Sequence, residues 1–267
     1  MHNIFALHTD LKHKTYTHGG YYHFKISDPK PRDIHKASVR DRLLHHAIYR
    51  VLYSYFDTKS IHDSYSCRLG KGMHKAMNRF RHFAYKVSKN HTRTVWVLKC
   101  DIRKFFASID QSILHTILAK YISDPDILWL LERVISSHGT IRANGSIGLP
   151  LGNLTSQLLV NMYMNEFDQW VKHQLKAKYY IRYADDSVFL SNDRKELEAL
   201  LPKISLFLQT RLNLTLHPDK VFIKTFASGV DFLGWVHFPT HRVLRTATKK
   251  RMLRHGNARK LVQRIDS

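Results

Sequence analysis

The stretch YYIRYADDSVFL at residues 179–190 leaves its backbone few choices. Two runs rich in Tyr, Ile, Val and Phe are separated only by Ala-Asp-Asp, so the chain is expected to form strand, tight turn and strand. An isolated hairpin is marginal in water and needs further strands or a helix layer against it. Its tip carries Asp185 and Asp186 side by side. Turns favour aspartate on local grounds alone. Two adjacent charges on a hairpin whose arms read as buried ask for a further reason.

The rest of the chain supplies the layers. TVWVLKCD (94–101) is short and β-branched and reads as a strand ending at Asp101. Apolar positions recur at helical spacing from about Ile34 to Phe56, and a polar segment (SIHDSYSCRLGKGMH) then opens a helix through Met77, Phe80 and Tyr85. Helices are expected near 111–121 and 126–136, and a glycine-bounded loop, GSIGLPLGN, leads into a long helix over Leu154–Leu175. Asp193 and Glu196 have capping-box spacing and open a helix to about Arg211, with Pro202 inside it. Short strands follow at 214–216, 221–224, 230–237 and 242–244, and residues 1–34 read as irregular. This order is not regular βαβ alternation. It predicts an α+β fold whose antiparallel sheet is backed by helices.

Charge narrows the function. The chain has 43 Lys+Arg against 21 Asp+Glu, a net +22 with neutral histidines. Residues 1–100 hold 19 basic and 6 acidic groups, residues 241–267 hold 9 and 1, and the middle holds 15 and 14. Two basic flanks around a near-neutral centre suit a polyanion, because each neutralised phosphate releases counterions. Cys67 and Cys100 form no metal-type spacing and suggest a reducing compartment. No apolar run reaches the roughly 20 residues of a membrane span, and the N-terminus is too polar for a signal peptide, so a cytoplasmic protein is expected. The 19 histidines are scattered, without HExxH or Cys/His ligand patterns, and none is assigned to a metal.

A strand ending in Asp101 and a hairpin bearing Asp185 and Asp186 would bring three carboxylates together on one sheet. Such a cluster needs a cation, and Mg²⁺ commonly takes one or two carboxylates plus substrate phosphates. Two ions can serve an in-line phosphoryl transfer. The motif series around these residues resembles the reverse transcriptases. YADD follows an upstream LKCDIRKFFASID (98–110) that is similar to the family's first catalytic motif. SYSCRLGKG (64–72) resembles the fingers motif and GLPLGNLTSQLLVNMYMNEFD (148–168) the template-handling loop and helix. LNLTLHPDK (212–220) resembles the motif after the catalytic hairpin and VDFLGWVHF (230–238) the primer-grip hairpin, so the resemblance covers about residues 30–245.

The resemblance implies a right-hand polymerase fold. Its expected parts are an N-terminal extension and fingers over 1–93, a palm with interleaved fingers segments over 94–229, a primer-grip hairpin over 230–245, and a basic tail or short, truncated thumb over 246–267. It implies Asp101, Asp185 and Asp186 as catalytic metal ligands, joined by the backbone carbonyl of Ile102, with two Mg²⁺ ions, or Mn²⁺ in their place, as cofactor. Phe106 matches the sugar gate that favours dNTPs, Arg68 and Lys71 the cations near the triphosphate, and Lys220 a proton donor to the pyrophosphate leaving group. Gly152, Ser156 and Gln157 match template or primer positions, as do Phe232, Leu233 and Gly234, where a turn would position the primer. Asp110, Asp168 and Asp231 fall off the metal positions and read as structural.

One departure points to a subgroup. Most of the family reads QGxxxSP in the template loop, whereas this chain reads Leu151-Gly152 and ends Ser156-Gln157. An apolar residue there is similar to reverse transcriptases of diversity-generating retroelements, which copy a template RNA with errors opposite adenine. Leu151 would remove a polar handle beside the nascent base pair. Implied partners are template RNA, cDNA or primer, dNTPs and a small basic accessory protein. The alternatives are a reverse transcriptase of another bacterial lineage (retron-like or defence-associated), a catalytically silent RNA-binding scaffold, and an RNA-templated RNA polymerase, which Phe106 disfavours.

Overall fold

Val97, Leu98, Cys100, Val188, Phe189 and Leu190 are all buried, so the two strands that carry them must be covered on both faces. The computed structural model, which describes residues 2–27, 31–142 and 145–254, shows how. In chain order the elements are α1 (His2–Lys12), β1 (Tyr21–Ile26), β2 (Arg32–Ala37), α2 (Val39–Lys59), α3 (Met73–Val87), β3 (Trp96–Cys100), α4 (Phe105–Ser108), α5 (Gln111–Tyr121), α6 (Pro125–Ser136), β4 (Thr140–Arg142), β5 (Gly145–Ile147) and α7 (Leu154–His173). They continue with β6 (Tyr180–Tyr183), β7 (Asp186–Ser191), α8 (Arg194–Leu212), β8 (Phe222–Thr225), β9 (Val230–Phe232), β10 (Trp235–His237), β11 (Arg242–Leu244) and α9 (Thr246–Arg254).

The central sheet has the order β6-β7-β3-β8, with every pair antiparallel. Side chains alternate between faces along a strand. Leu98, Cys100 and Phe189 therefore join the main core with Leu114 of α5, Tyr163 and Phe167 of α7 and Leu208 of α8. Val97, Val188 and Leu190 face the other way, into a second core with Phe80 and Phe83 of α3 and Phe232 of β9. Local signals start the helices. Asp110 and Asp124 accept backbone N–H groups at the starts of α5 and α6, and Ser38 accepts from Asp41 at the start of α2.

The structure corrects several expected elements. Residues 1–34 are not irregular: they hold α1 and most of the β1–β2 hairpin. Its arms are largely exposed, which erases the apolar alternation a strand normally shows. The helix expected from Ile34 begins only at Val39, because residues 32–37 are strand. The loop before α7 contains the short β4–β5 hairpin, and residues 214–216 form only an isolated bridge from Leu216 to Ile102. Asn153 precedes α7 without capping it; its amide instead binds the backbone of Ala37 and His35, tying β2 to this loop. The segment expected as thumb or tail yields α9, and residues 255–267 lie outside the described residues.

Candidate active site

Register places the carboxylates. Cys100 pairs with Ser187, so extending the β3–β7 ladder by one residue sets Asp101 opposite Asp186, and by two sets Ile102 opposite Asp185. Cross-strand partners share a face. Asp101 and Asp186 thus lie beyond Val97 and Val188 on the face opposite the main core. The end of β3 is held by the segment after α8: His217 N–H donates to Asp101 O at 2.8 Å and Arg103 N–H to Thr215 O at 2.9 Å. These bonds flank the Ile102–Leu216 bridge, so the carbonyl of Ile102 is directed away from Leu216, toward the Asp185 side. The same segment forms a short 3₁₀ turn, Pro218–Lys220, which delivers Lys220 Nζ to 2.8 Å from Asp101 Oδ1.

The turn itself is strained. Tyr183 pairs with Asp186, leaving Ala184 and Asp185 as the loop, and Ala184 takes φ 55°. A residue with a Cβ in this left-handed region costs of order 1–3 kcal/mol and persists only where its surroundings fix it. Here Arg182 fixes it, donating from Nη1 to Ala184 O at 3.0 Å. Arg182 is fully buried, and its other donors are also engaged. Nε reaches both oxygens of Asp168 at 2.8 and 3.0 Å, Nη2 reaches Asp168 Oδ2 at 2.6 Å and Ser64 Oγ at 3.1 Å, and Nη1 also reaches Asn161 Oδ1 at 3.3 Å. Tyr180 adds a hydroxyl to Asp168 Oδ1 at 2.7 Å. Asp168 is structural, as expected; the role of Arg182 was not anticipated. The signal was present: a guanidinium in an otherwise apolar strand must have a buried partner.

The three carboxylates have no such internal balance. Burial, then Asp186, with Asp101 adding to them, push the Asp185 carboxyl up to about 6. Burial and Asp101 also raise Asp186, against the pull of Lys99, whose Nζ stands 3.3 Å from Asp186 Oδ1 without hydrogen-bond geometry. Two lysines therefore stand as cations over the acids: Lys220 on Asp101 and Lys99 on Asp186. Lys99 had not been singled out. It also donates to Asp231 O at 3.3 Å, linking β3 to β9.

The donor chemistry fits a hard divalent cation: oxygen atoms only, one of them a buried carboxylate oxygen lacking a hydrogen-bond donor. Among the described residues no three His, Cys, Asp or Glu side chains form a ready-made cage. The fit is therefore to an ion held by one or two carboxylates and completed by substrate phosphates, as Mg²⁺ prefers.

The remaining expected residues divide. Phe105 is core and Phe106 is half-buried, its ring edge-on to Phe105 at 5.7 Å. Phe106 O accepts from Leu149 N–H at 2.8 Å, which pins the loop carrying Leu151 beside it. Lys71 Nζ donates to His62 O at 2.8 Å and lies over the Tyr65 ring. Arg68 has a different job from the one expected. Its guanidinium is spent on Asp57 (Nε to Oδ1, 2.6 Å), Asp57 O, Ile61 O and Ser64 O, so it ties its own loop to the end of α2.

Gly152 has a local reason as well: its φ is 111°, and a Cβ there would stand 2.8 Å from Ile34 Cγ2 of β2. Ser156 is buried, whereas Gln157 is half-buried at the start of α7. Phe232 is fully buried and anchors the β9–β10 turn from below; Leu233 and Gly234 form that turn with φ 54° and 82°.

Comparison with known proteins agrees with this geometry. Residues 25–237 match the reverse transcriptase (RNA-dependent DNA polymerase) family. Protein YkfC of Escherichia coli K12 is 26% identical over 84% of this chain and 66% of its own length. The Retron Ec83 reverse transcriptase of E. coli is 34% identical over 41% of this chain and 36% of its own. A putative COX1/OXI3 intron 2 protein of Saccharomyces cerevisiae is 20% identical over 82% of this chain but only 31% of its own length. The chain thus spans between 31% and 66% of the length of these relatives. In fold it is similar to apo telomerase from Candida tropicalis, with a TM-score of 0.64 at 10% identity over 85% of this chain and 49% of that one. The right-hand polymerase fold expected from the motifs is the fold observed, and the chain belongs to the reverse transcriptase family.

Proposed function

We propose that the protein is an RNA-directed DNA polymerase that extends a primer on an RNA template through Asp101, Asp185 and Asp186. The observation that carries this reading is the charge imbalance at the β6–β7 turn. Three carboxylates share one end of the sheet, one carboxyl is driven up to about 6 by its neighbours and burial, and two lysines offset them. Divalent cations bound there would activate the primer 3′-hydroxyl and offset the charge of the departing pyrophosphate. Asp101 and Asp185 are the principal ligands in this reading, with the Ile102 carbonyl and Asp186 in support.

Lys220 shares its charge with Asp101, and that contact supports reading it as the proton donor to the leaving group. Phe106 excludes a ribose 2′-hydroxyl, and Phe106→Ala is expected to gain rNTP incorporation. In this reading the extension and fingers over 1–93, the palm over 94–229 and the primer grip over 230–245 hold the duplex, and the basic segment over 246–267 serves as a tail or short thumb.

The test is primer extension on RNA with dNTPs and Mg²⁺, with and without a candidate accessory protein. Labelled cDNA from the wild type, and none from Asp101→Asn or Asp185→Asn, is the expected result. Tight RNA binding without incorporation in any condition would instead identify a silent scaffold.

Two lineages remain as readings. Leu151 with Ser156-Gln157 favours a diversity-generating retroelement, an error-prone copier with a small basic partner; the Retron Ec83 relative favours a retron-like enzyme. Sequencing the cDNA separates them: substitutions concentrated opposite template adenines support the first, and their absence the second. Among the described residues no helix is long and apolar enough to cross a membrane.

A further inference from the structure

We propose a second polyanion site, at the opposite end of the palm sheet from the carboxylates, that grips the phosphate backbone of RNA outside the copied stretch. A cleft of about 350 Å³ opens where α3 ends, β6 begins and β7 runs into α8. Asp101 lies just past the C-terminal end of the five-residue β3, and the cleft lies by its N-terminal end, a separation of roughly 15–20 Å at about 3.3 Å per residue. The rim carries Lys86, Lys89, Arg93, Lys176 and Lys178, all exposed. Among the described residues none of them makes an ion pair, unlike the lysines over the catalytic acids.

One acid lines the cleft, Glu196, and it is bonded to Ser191. Five cations against one tethered carboxylate is a strong local excess. Between the lysines stands Tyr179, half-buried, with Lys178 Nζ 5.6 Å from its ring centroid, over a floor that includes Phe189 and Leu197. Cations around an aromatic face suit a nucleic acid, which offers phosphates and a base or sugar to stack, better than an acidic peptide, which offers carboxylates alone.

The backbone that presents this rim is also held in an uncommon shape. Lys89, Asn90 and His91 take φ of 48°, 61° and 64° in succession, a left-handed run that residues with a Cβ rarely adopt. Ser88 enforces it: its carbonyl accepts from Thr92 and Arg93 N–H and its hydroxyl from His91 N–H. The run turns Lys89 and Arg93 back toward Lys176 and Lys178. The inference rests on the polymerase reading in one respect only, that the polyanion is RNA.

The test is fluorescence anisotropy with a labelled 30-nucleotide RNA hairpin, on the wild type and on Lys86→Gln/Lys89→Gln/Lys176→Gln, from 50 to 300 mM salt. All three positions are exposed, and a melting curve checks the fold. The expected result is at least tenfold weaker binding and a log–log salt slope shallower by about two to three, near 0.9 for each lost phosphate contact. Equal affinity with an equal slope overturns the site. So does a polyglutamate peptide that outcompetes the hairpin on the wild type and loses that advantage on the variant. Extension of a short primed RNA that does not reach the cleft is run alongside. A binding difference without extension in either protein rejects the polymerase and keeps the anchor; extension in both with equal binding does the reverse.

Discussion

Two clusters of buried charge sit within a few residues of each other and are built on opposite principles. Beneath the β6–β7 turn, Arg182 and Asp168 saturate one another: every guanidinium donor has an acceptor, and the carboxylate also holds Tyr180. At the turn itself, Asp101, Asp185 and Asp186 repel, and two lysines compensate them only in part. The first cluster is complete within the chain and fixes a backbone. The second is left with excess negative charge, which in the proposed reading a divalent cation would offset. The pair shows how a rigid, satisfied network can hold an unsatisfied one in place.

The largest expected effect falls on the unsatisfied cluster. Asp185→Asn should reduce nucleotide incorporation by on the order of 10⁴-fold or more in a steady-state extension assay, since its partners act as a unit. The next falls on the satisfied one. Asp168→Ala strands a buried guanidinium and should destabilise the chain by about 3–5 kcal/mol in a urea titration, while an apolar pair replacing both Asp168 and Arg182 should cost far less. If the single change were as mild as the double, the network would not be what fixes the turn.

Smaller still is Lys220→Ala. The side chain contacts Asp101 and is partly exposed, so a loss of about 10²-fold in kcat with little change in the KM for dNTP is expected. A purely structural Lys220 would move stability and leave kcat alone. Arg68→Ala sharpens the comparison from the fingers side. Its bonds are internal, so it should lower the melting temperature and leave the KM for dNTP within about threefold.

Much of this was legible in the sequence because the signals were local. The hairpin at 180–191, the strand ending on Asp101 and the cap at Asp193 each follow from a few adjacent residues, and the order of motifs carried the fold. What escaped depended on residues distant along the chain. The β1–β2 hairpin shows weak alternation because it is mostly exposed, and it is fixed by contacts to Asn153 and Leu151 some 115 residues away. Arg68 looked like a cation for substrate, and only the return of Asp57 beside it shows otherwise. Lys99 lies between two core residues and showed nothing of its reach to Asp186.

The claim that the turn is held against its own electrostatics has a direct thermodynamic test. With its carboxyl at about 6 in the folded chain against 3.8 for an ordinary aspartate, Asp185 holds its proton more tightly folded than unfolded. Its ionisation therefore removes stability as pH rises from about 4 to 6, and the full cost persists above 6. A shift of two units corresponds to about 3 kcal/mol when fully buried, and partial exposure brings the expectation to about 1–3 kcal/mol. Chemical denaturation of wild type and Asp185→Asn in chelator, between pH 4 and 8, measures it. The Asn variant should be the more stable protein at pH 8, with the gap closing toward pH 4. An Asn variant no more stable than wild type at pH 8, or a gap that does not change with pH, would contradict the account.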